Sequence, residues 1–210
     1  MTELLDITLR SLLIAGSATL LAMLWSIPIA LWLSMREFRG KQVVKSVFTA
    51  LIGMPTVALG LILYLIFSNS GPLGSFGLLF TPTGIIIGEA ILITPIIVSF
   101  AYSALDSVDP EVKDLARTLG ASEKQASLAV LSEARKGTTL SIVAAFNRAI
   151  AELGVALMIG GNIRGYTQVL TTAISKEVAM GEIALSIQMT AVLLLIVFSL
   201  TLLINLLRRD

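Results

Sequence analysis

Glu89, Arg148 and Glu152 stand where charge is expensive, inside long apolar stretches of a 210-residue chain. The side chains that usually move protons or hold metals are missing: there is no histidine and no cysteine. That removes the commonest general base, the commonest metal ligand and any catalytic thiol or disulfide. A G-x-x-x-x-G-K-[ST] loop is also absent, so the chain has no usual cradle for nucleotide phosphates. We therefore expect no catalytic residue, no metal and no cofactor in this chain. An arginine and a glutamate four residues apart can still do electrostatic work, because that spacing puts them on one helix face. An isolated ion at a bilayer centre costs about 2.5–3.5 kcal/mol on a lenient scale, and a pair costs less than two isolated ions. Arg148 and Glu152 are thus either a neutralised structural bridge or an arginine that faces an anion's path, steadied by its carboxylate so that it helps a dianion without trapping it. Glu89 follows Gly88 and is expected near the outer end of its span, hydrated or hydrogen-bonded to a neighbouring helix, where replacement by glutamine leaves anion passage nearly unchanged.

The elements that position these residues follow from composition. Hydrophobic residues make up 56% of the chain and charged residues only 14%, against about 25% charged in an average soluble domain. A helix needs about 20 apolar residues to cross about 30 Å of hydrocarbon. Five windows meet that need: 11–34, 47–67, 84–104, 140–159 and 183–207. Turn chemistry at Asn69-Ser70-Gly71-Pro72 and Thr81-Pro82-Thr83-Gly84 separates the second from the third. The first is too long for a signal-peptide core. Pro28, Pro55 and Pro95 fall inside spans, where neighbouring helices satisfy the freed carbonyls. The chain is therefore expected to be an all-α, polytopic membrane protein of about five transmembrane helices.

Arg36, Arg39, Lys41 and Lys45 lie between the first two windows, Lys113, Arg117, Lys124, Arg135 and Lys136 between the third and fourth, and Arg208 and Arg209 after the fifth. The other side carries Arg10, Arg164 and Lys176. The bias toward basic residues on the cytoplasmic side puts the amino terminus outside and the carboxyl terminus in the cytoplasm.

The segment 105–137 stands out as the one long loop on the basic side. Asp109 can cap a helix that starts with Pro110, and Glu111 complements its positive end. Gly120 suits a left-handed stop, and Ser122 with Gln125 forms a capping box for a second helix. The loop is expected to be two short helices bent at Gly120. Its five basic residues are outnumbered by Asp106, Asp109, Glu111, Asp114, Glu123 and Glu133, so a DNA-binding helix-turn-helix, which needs a basic face, is not expected.

These residues resemble a known family. Permease subunits of ABC-type importers carry a loop of the form E-A-A-x3-G-x9-I-x-L-P. Here Asp114-Leu115-Ala116-Arg117-Thr118-Leu119-Gly120 is followed, after nine residues, by Val130. Asp114 replaces the glutamate, Leu115 the first alanine, and Ser132-Glu133 the Leu-Pro pair. Arg148-Ala149-Ile150-Ala151-Glu152-Leu153-Gly154-Val155-Ala156 and Gly161-Asn162-Ile163 look like the R-A-x-x-E-x-G-A and G-N-I pattern of permeases for tetrahedral oxyanions. Leu131-Ser132-Glu133-Ala134-Arg135 and 167–174 are most similar to the tungstate branch. The resemblance is close over the second half of the chain and covers the first half in span layout.

The resemblance implies one transmembrane permease domain over residues 1–210, a homodimer in a prokaryotic inner membrane, cytoplasmic ATPase subunits that use the ATP, and an external substrate-binding protein. It implies that Asp114, Ala116, Leu119, Gly120 and Ala121 couple the chain to the ATPase. Asn147, Arg148 and Glu152 are the candidate pathway residues, and tungstate, molybdate or sulfate the candidate cargo. A secondary transporter or channel for a small solute is the alternative, opposed by the odd number of spans and the lack of an inverted repeat. A membrane enzyme using Glu89 or Glu152 as acid or base is the other, opposed by the missing histidine and cysteine.

Overall fold

The computed structural model describes residues 2–207, so Arg208, Arg209 and the two chain ends lie outside the described residues. Among the described residues the regular structure is helical, with no strand. The helices are α1 (Thr2–Met35), α2 (Lys41–Ile52), α3 (Thr56–Phe67), α4 (Pro82–Asp106), α5 (Pro110–Thr118), α6 (Glu123–Glu133), α7 (Arg135–Ile150), α8 (Gly154–Gly160), α9 (Leu170–Ala179) and α10 (Ile183–Leu207).

α1 shows how the sequence chooses its inner face. Small residues Ser11, Ala15, Ala18, Ala22, Ser26 and Ala30 recur every three or four positions and are buried, whereas Leu5, Leu9, Leu13, Leu20 and Leu24 are exposed. This reverses the soluble pattern and fits a bilayer, where small residues let helix backbones approach and large apolar ones meet lipid. The partner of that small stripe is α4, and Trp25 Nε1 bridges the two by donating to Thr94 Oγ1 at 2.8 Å. α4 is central, packing on α1, α7, α8 and α2. Its start follows from local chemistry: Thr81 accepts from the Gly84 amide at 3.1 Å, and Pro82 occupies the first helical position.

Among the described residues three helices are long and apolar enough to cross a membrane, at 3–35, 82–106 and 183–202, and the number rises to five if each of two bent pairs is one span. The expected second and fourth spans are not continuous helices. α2 and α3 meet at 99° across Gly53-Met54-Pro55, so Pro55 stands at the N-cap of α3 instead of inside a continuous helix. α7 and α8 meet at 56° across Ala151-Glu152-Leu153. The physical reason is similar in both. Proline has no amide to continue α2, and its ring clashes with a preceding helical carbonyl. At the second break Gly154 makes an approach to α3 that a side chain would block: a β-carbon there would lie 2.5 Å from Thr56 Oγ1 and 2.9 Å from the Val57 amide nitrogen.

The two half-helices α3 and α8 are held together by this contact and by Gly60, which faces Met158 and the Gly154 carbonyl. On the other side of α8, Gly88 of α4 lets Val155 and Ile159 approach. α8 ends in a left-handed turn at Gly161, φ +67°. The loop beyond folds on itself through Thr167, which donates to the Gly160 carbonyl at 2.6 Å and accepts from Ile163. Arg10 of α1 pins the same loop by bonds to the Gln168 and Gly165 carbonyls, both at 3.0 Å.

Candidate functional site

Two places merit attention, the break between α7 and α8 and the bent pair α5–α6. At the break, Arg148 lies in the last turn of α7 and Glu152 just past its end, off the helix on which the i,i+4 reading places both. The pairing nevertheless forms, with Arg148 NH1 2.5 Å from Glu152 Oε2. Burial is unequal: the Arg148 side chain is 36% exposed and that of Glu152 only 1%.

Glu152 has a second task that the spacing did not reveal. Its Oε1 accepts the Val155 amide at 3.0 Å, so the carboxylate satisfies an orphan amide at the start of α8 and sits at its positive end. Its backbone carbonyl accepts from Thr171 Oγ1 at 2.6 Å, which ties the break to α9. One residue thus fixes the end of α7, the beginning of α8 and the position of α9. A carboxylate two residues ahead of a Gly-led apolar segment was the available signal, but in a window interrupted only by Arg148 and Glu152 it read as half of an i,i+4 pair instead of a helix start.

Asn147, the third candidate pathway residue, is not joined to this pair. Its Nδ2 donates to Thr201 of α10 at 2.7 Å, and its Oδ1 is buried without a partner among the described atoms. Glu89 corrects its expectation. It is 2% exposed, and its Oε2 is buried without a hydrogen-bond partner among the described residues. The reason is tertiary: Gly88 draws α8 against α4, and that approach closes over the adjacent residue.

In the bent pair, Asp109 accepts from the Glu111 amide at 2.9 Å to start α5. Ser122 and Gln125 form a reciprocal capping box that starts α6. Between them the chain turns at Gly120, φ +84°, where the Ala121 amide bonds the Ala116 carbonyl and the Gly120 amide bonds the Arg117 carbonyl. This is the doubly bonded helix stop that favours glycine. Arg117 spans the bend to Glu123 at 2.6 Å. Ala116 and Ala121 are half-buried and Asp114 is exposed, while Leu119 is 79% exposed and Leu115 lies open beside it. Lys113 anchors the pair to the body by donating to the Met35 carbonyl at the end of α1, at 3.0 Å. A polar hairpin of capped helices with bare leucines near its bend is suited to docking, because apolar tips on such a loop gain by leaving water. Leu115 and Lys113 were not singled out beforehand, since a leucine within a short helix does not announce which way it faces.

The comparisons with known proteins concern the chain as a whole. The family model described as binding-protein-dependent transport system inner membrane component matches residues 26–210. The chain is 41% identical over 202 residues to a probable anion ABC transporter permease protein of Haloferax volcanii, covering 94% of this chain and 87% of that one. It is 34% identical over 189 residues to the tungstate uptake system permease protein TupB of Peptoclostridium acidaminophilum, covering 90% of this chain and 83% of that one. Among solved structures, an amino acid ABC transporter crystallised with histidines shares the fold, with a TM-score of 0.69 at 18% identity, covering 99% of this chain and 94% of that one.

Proposed function

This chain belongs to the family of binding-protein-dependent transport system inner membrane components, and we propose that it is the permease subunit of an ATP-driven importer for a tetrahedral oxyanion, tungstate foremost, with molybdate or sulfate as the other candidates. It is a multi-pass membrane protein. The similarity to anion and tungstate permeases, which runs through both bent pairs, carries this reading.

In this account the chain works as a homodimer around a twofold axis, since symmetry brings identical faces together and leaves a path between them. The sparsely buried α10 then finds its cover in lipid or in the second copy. The carboxyl terminus and the α5–α6 pair face the cytoplasm, in keeping with the basic bias. There Asp114, Ala116, Leu119, Gly120 and Ala121 form the surface that meets an ATPase subunit, with Leu115 as an added apolar contact. ATP is hydrolysed in that partner, and an external binding protein delivers the oxyanion. Motion at the bend reaches the membrane part through Lys113 and the end of α1. Arg148 lends positive charge near the α7–α8 break, and its pairing with Glu152 keeps a passing dianion from being held.

Replacing Gly120 by valine tests the coupling surface. The position has open space around it, so the substitution acts through backbone strain alone, costing about 1 kcal/mol or more for a β-branched residue at positive φ. Membrane insertion should survive in Gly120→Val, while co-purification with the ATPase and uptake of tungstate should both fall. Unchanged co-purification would place the ATPase contact elsewhere.

A further inference from the structure

Glu89 is the buried acid that transport by Arg148 and Glu152 leaves without a task. It projects from α4 between two contacts that fix where it faces. A β-carbon on Gly88 would come within 2.8 Å of Val155 and 2.7 Å of Ile159, both on α8. On its other side, Ala90 and Ile93 cluster with Ala149 and Ile150 at the end of α7. Glu89 therefore looks onto the α7–α8 break. The charged side chains whose fields reach it are Glu152 and Arg148, at that break.

A carboxyl oxygen sealed from water without a donor is costly, and natural proteins seldom keep one without a use. The missing partner is a donor, and the nearby donor is a guanidinium. Arg148 has five N–H groups, of which one is bonded to Glu152. It is also the member of the pair with room to move, being one-third exposed. If Arg148 moves to a neighbouring acid, Glu152 keeps one hydrogen bond, from the Val155 amide to its Oε1, and the cation stays close by. A transfer of the guanidinium thus gives Glu89 the donor it lacks and leaves Glu152 with the Val155 amide.

We propose that Glu89 is the second acceptor for Arg148, a positioning residue that takes the guanidinium from Glu152 when the bend between α7 and α8 changes during the transport cycle. The two arrangements differ in the partner of one arginine, which makes them two discrete states instead of a continuum. The proposal rests on the permease reading for its role in transport, and on the geometry of the break for the partner exchange itself.

The test uses the permease assembled with its ATPase and binding protein in proteoliposomes, with tungstate as the probe. Glu89→Gln should assemble and hydrolyse ATP, yet move roughly tenfold less tungstate per ATP consumed, the scale of a lost coupling. Glu89→Asp, which keeps the carboxyl group, should recover part of that ratio. A normal ratio in Glu89→Gln would overturn the proposal. So would a proportional fall in yield, hydrolysis and uptake without rescue by aspartate, which marks a structural role.

A second measurement stands apart from transport. In a thermal-stability cycle of the detergent-purified protein, Glu89→Gln and Glu152→Gln should each be mild because the other acid still serves Arg148, and the double variant should lose far more than their sum. Additive losses would show that Glu89 does not exchange with Glu152. A wild-type complex that moves no tungstate would count against the permease reading, while the stability cycle would still decide the role of Glu89.

Discussion

Arg148 and Glu152 illustrate how burial decides the cost of breaking a pair. Removing one member of a buried ion pair costs about 3–5 kcal/mol when the survivor is left without solvation. Here the survivors differ. Glu152 is almost wholly enclosed, whereas a third of the Arg148 side chain reaches outward. We therefore expect Arg148→Gln to destabilise by about 3 kcal/mol, near the lower end of that range, and Glu152→Gln by only about 1 kcal/mol, the size of an ordinary lost hydrogen bond, since glutamine can still accept from Val155. Thermal denaturation in detergent measures both, and equal losses would mean that the unequal burial does not govern the pair. The sequence disclosed this pairing through spacing alone. It did not disclose the capping of α8 by Glu152 or the enclosure of Glu89, because both depend on α8 lying against α4, a contact between segments more than sixty residues apart.

At the level of elements, the close glycine contacts hold the broken spans together. Gly154→Ala sets a β-carbon against Thr56 and the Val57 backbone. Overpacking of this kind costs about 1–3 kcal/mol, and α3 must move away from α8 to relieve it. Gly16→Ala in α1 is the matched control, because nothing lies within 4 Å of the added carbon and alanine favours a helix by about 1 kcal/mol. The melting temperature should fall for Gly154→Ala and hold or rise for Gly16→Ala; a fall in both would point to a helix-wide effect unrelated to the α3–α8 approach. The local punctuation of α5 and α6 was legible, since Asp109, Gly120, Ser122 and Gln125 act within a few residues of themselves, whereas Thr81 and Pro82 read as a turn and proved to start α4. The bends at Pro55 and Glu152 were not legible. Hydropathy counts apolar residues along a line, and 47–67 and 140–159 remain apolar through a 99° or a 56° turn. Proline inside an apolar run is also compatible with a mild kink, so Pro55 carried no angle with it.

For the whole molecule, the arrangement links two distant places by solid elements. The α5–α6 pair is anchored to the end of α1, α1 lies along α4, and α4 carries Glu89 against the α7–α8 break. In the proposed function, a push at the bend near Gly120 travels along this chain of packed helices to Glu89, Arg148 and Glu152. All-helical, multi-span architecture was plain from composition. The oxyanion came from local wording in 148–163, and no physical argument from spacing alone reaches a particular anion. The measurement that bears most directly on the account is ATP-dependent accumulation of tungstate in proteoliposomes that contain this chain with its ATPase and binding protein. The account predicts accumulation that requires ATP and all three components and that is competed by other tetrahedral oxyanions. A fully assembled complex that hydrolyses ATP yet accumulates neither tungstate, molybdate nor sulfate would contradict it.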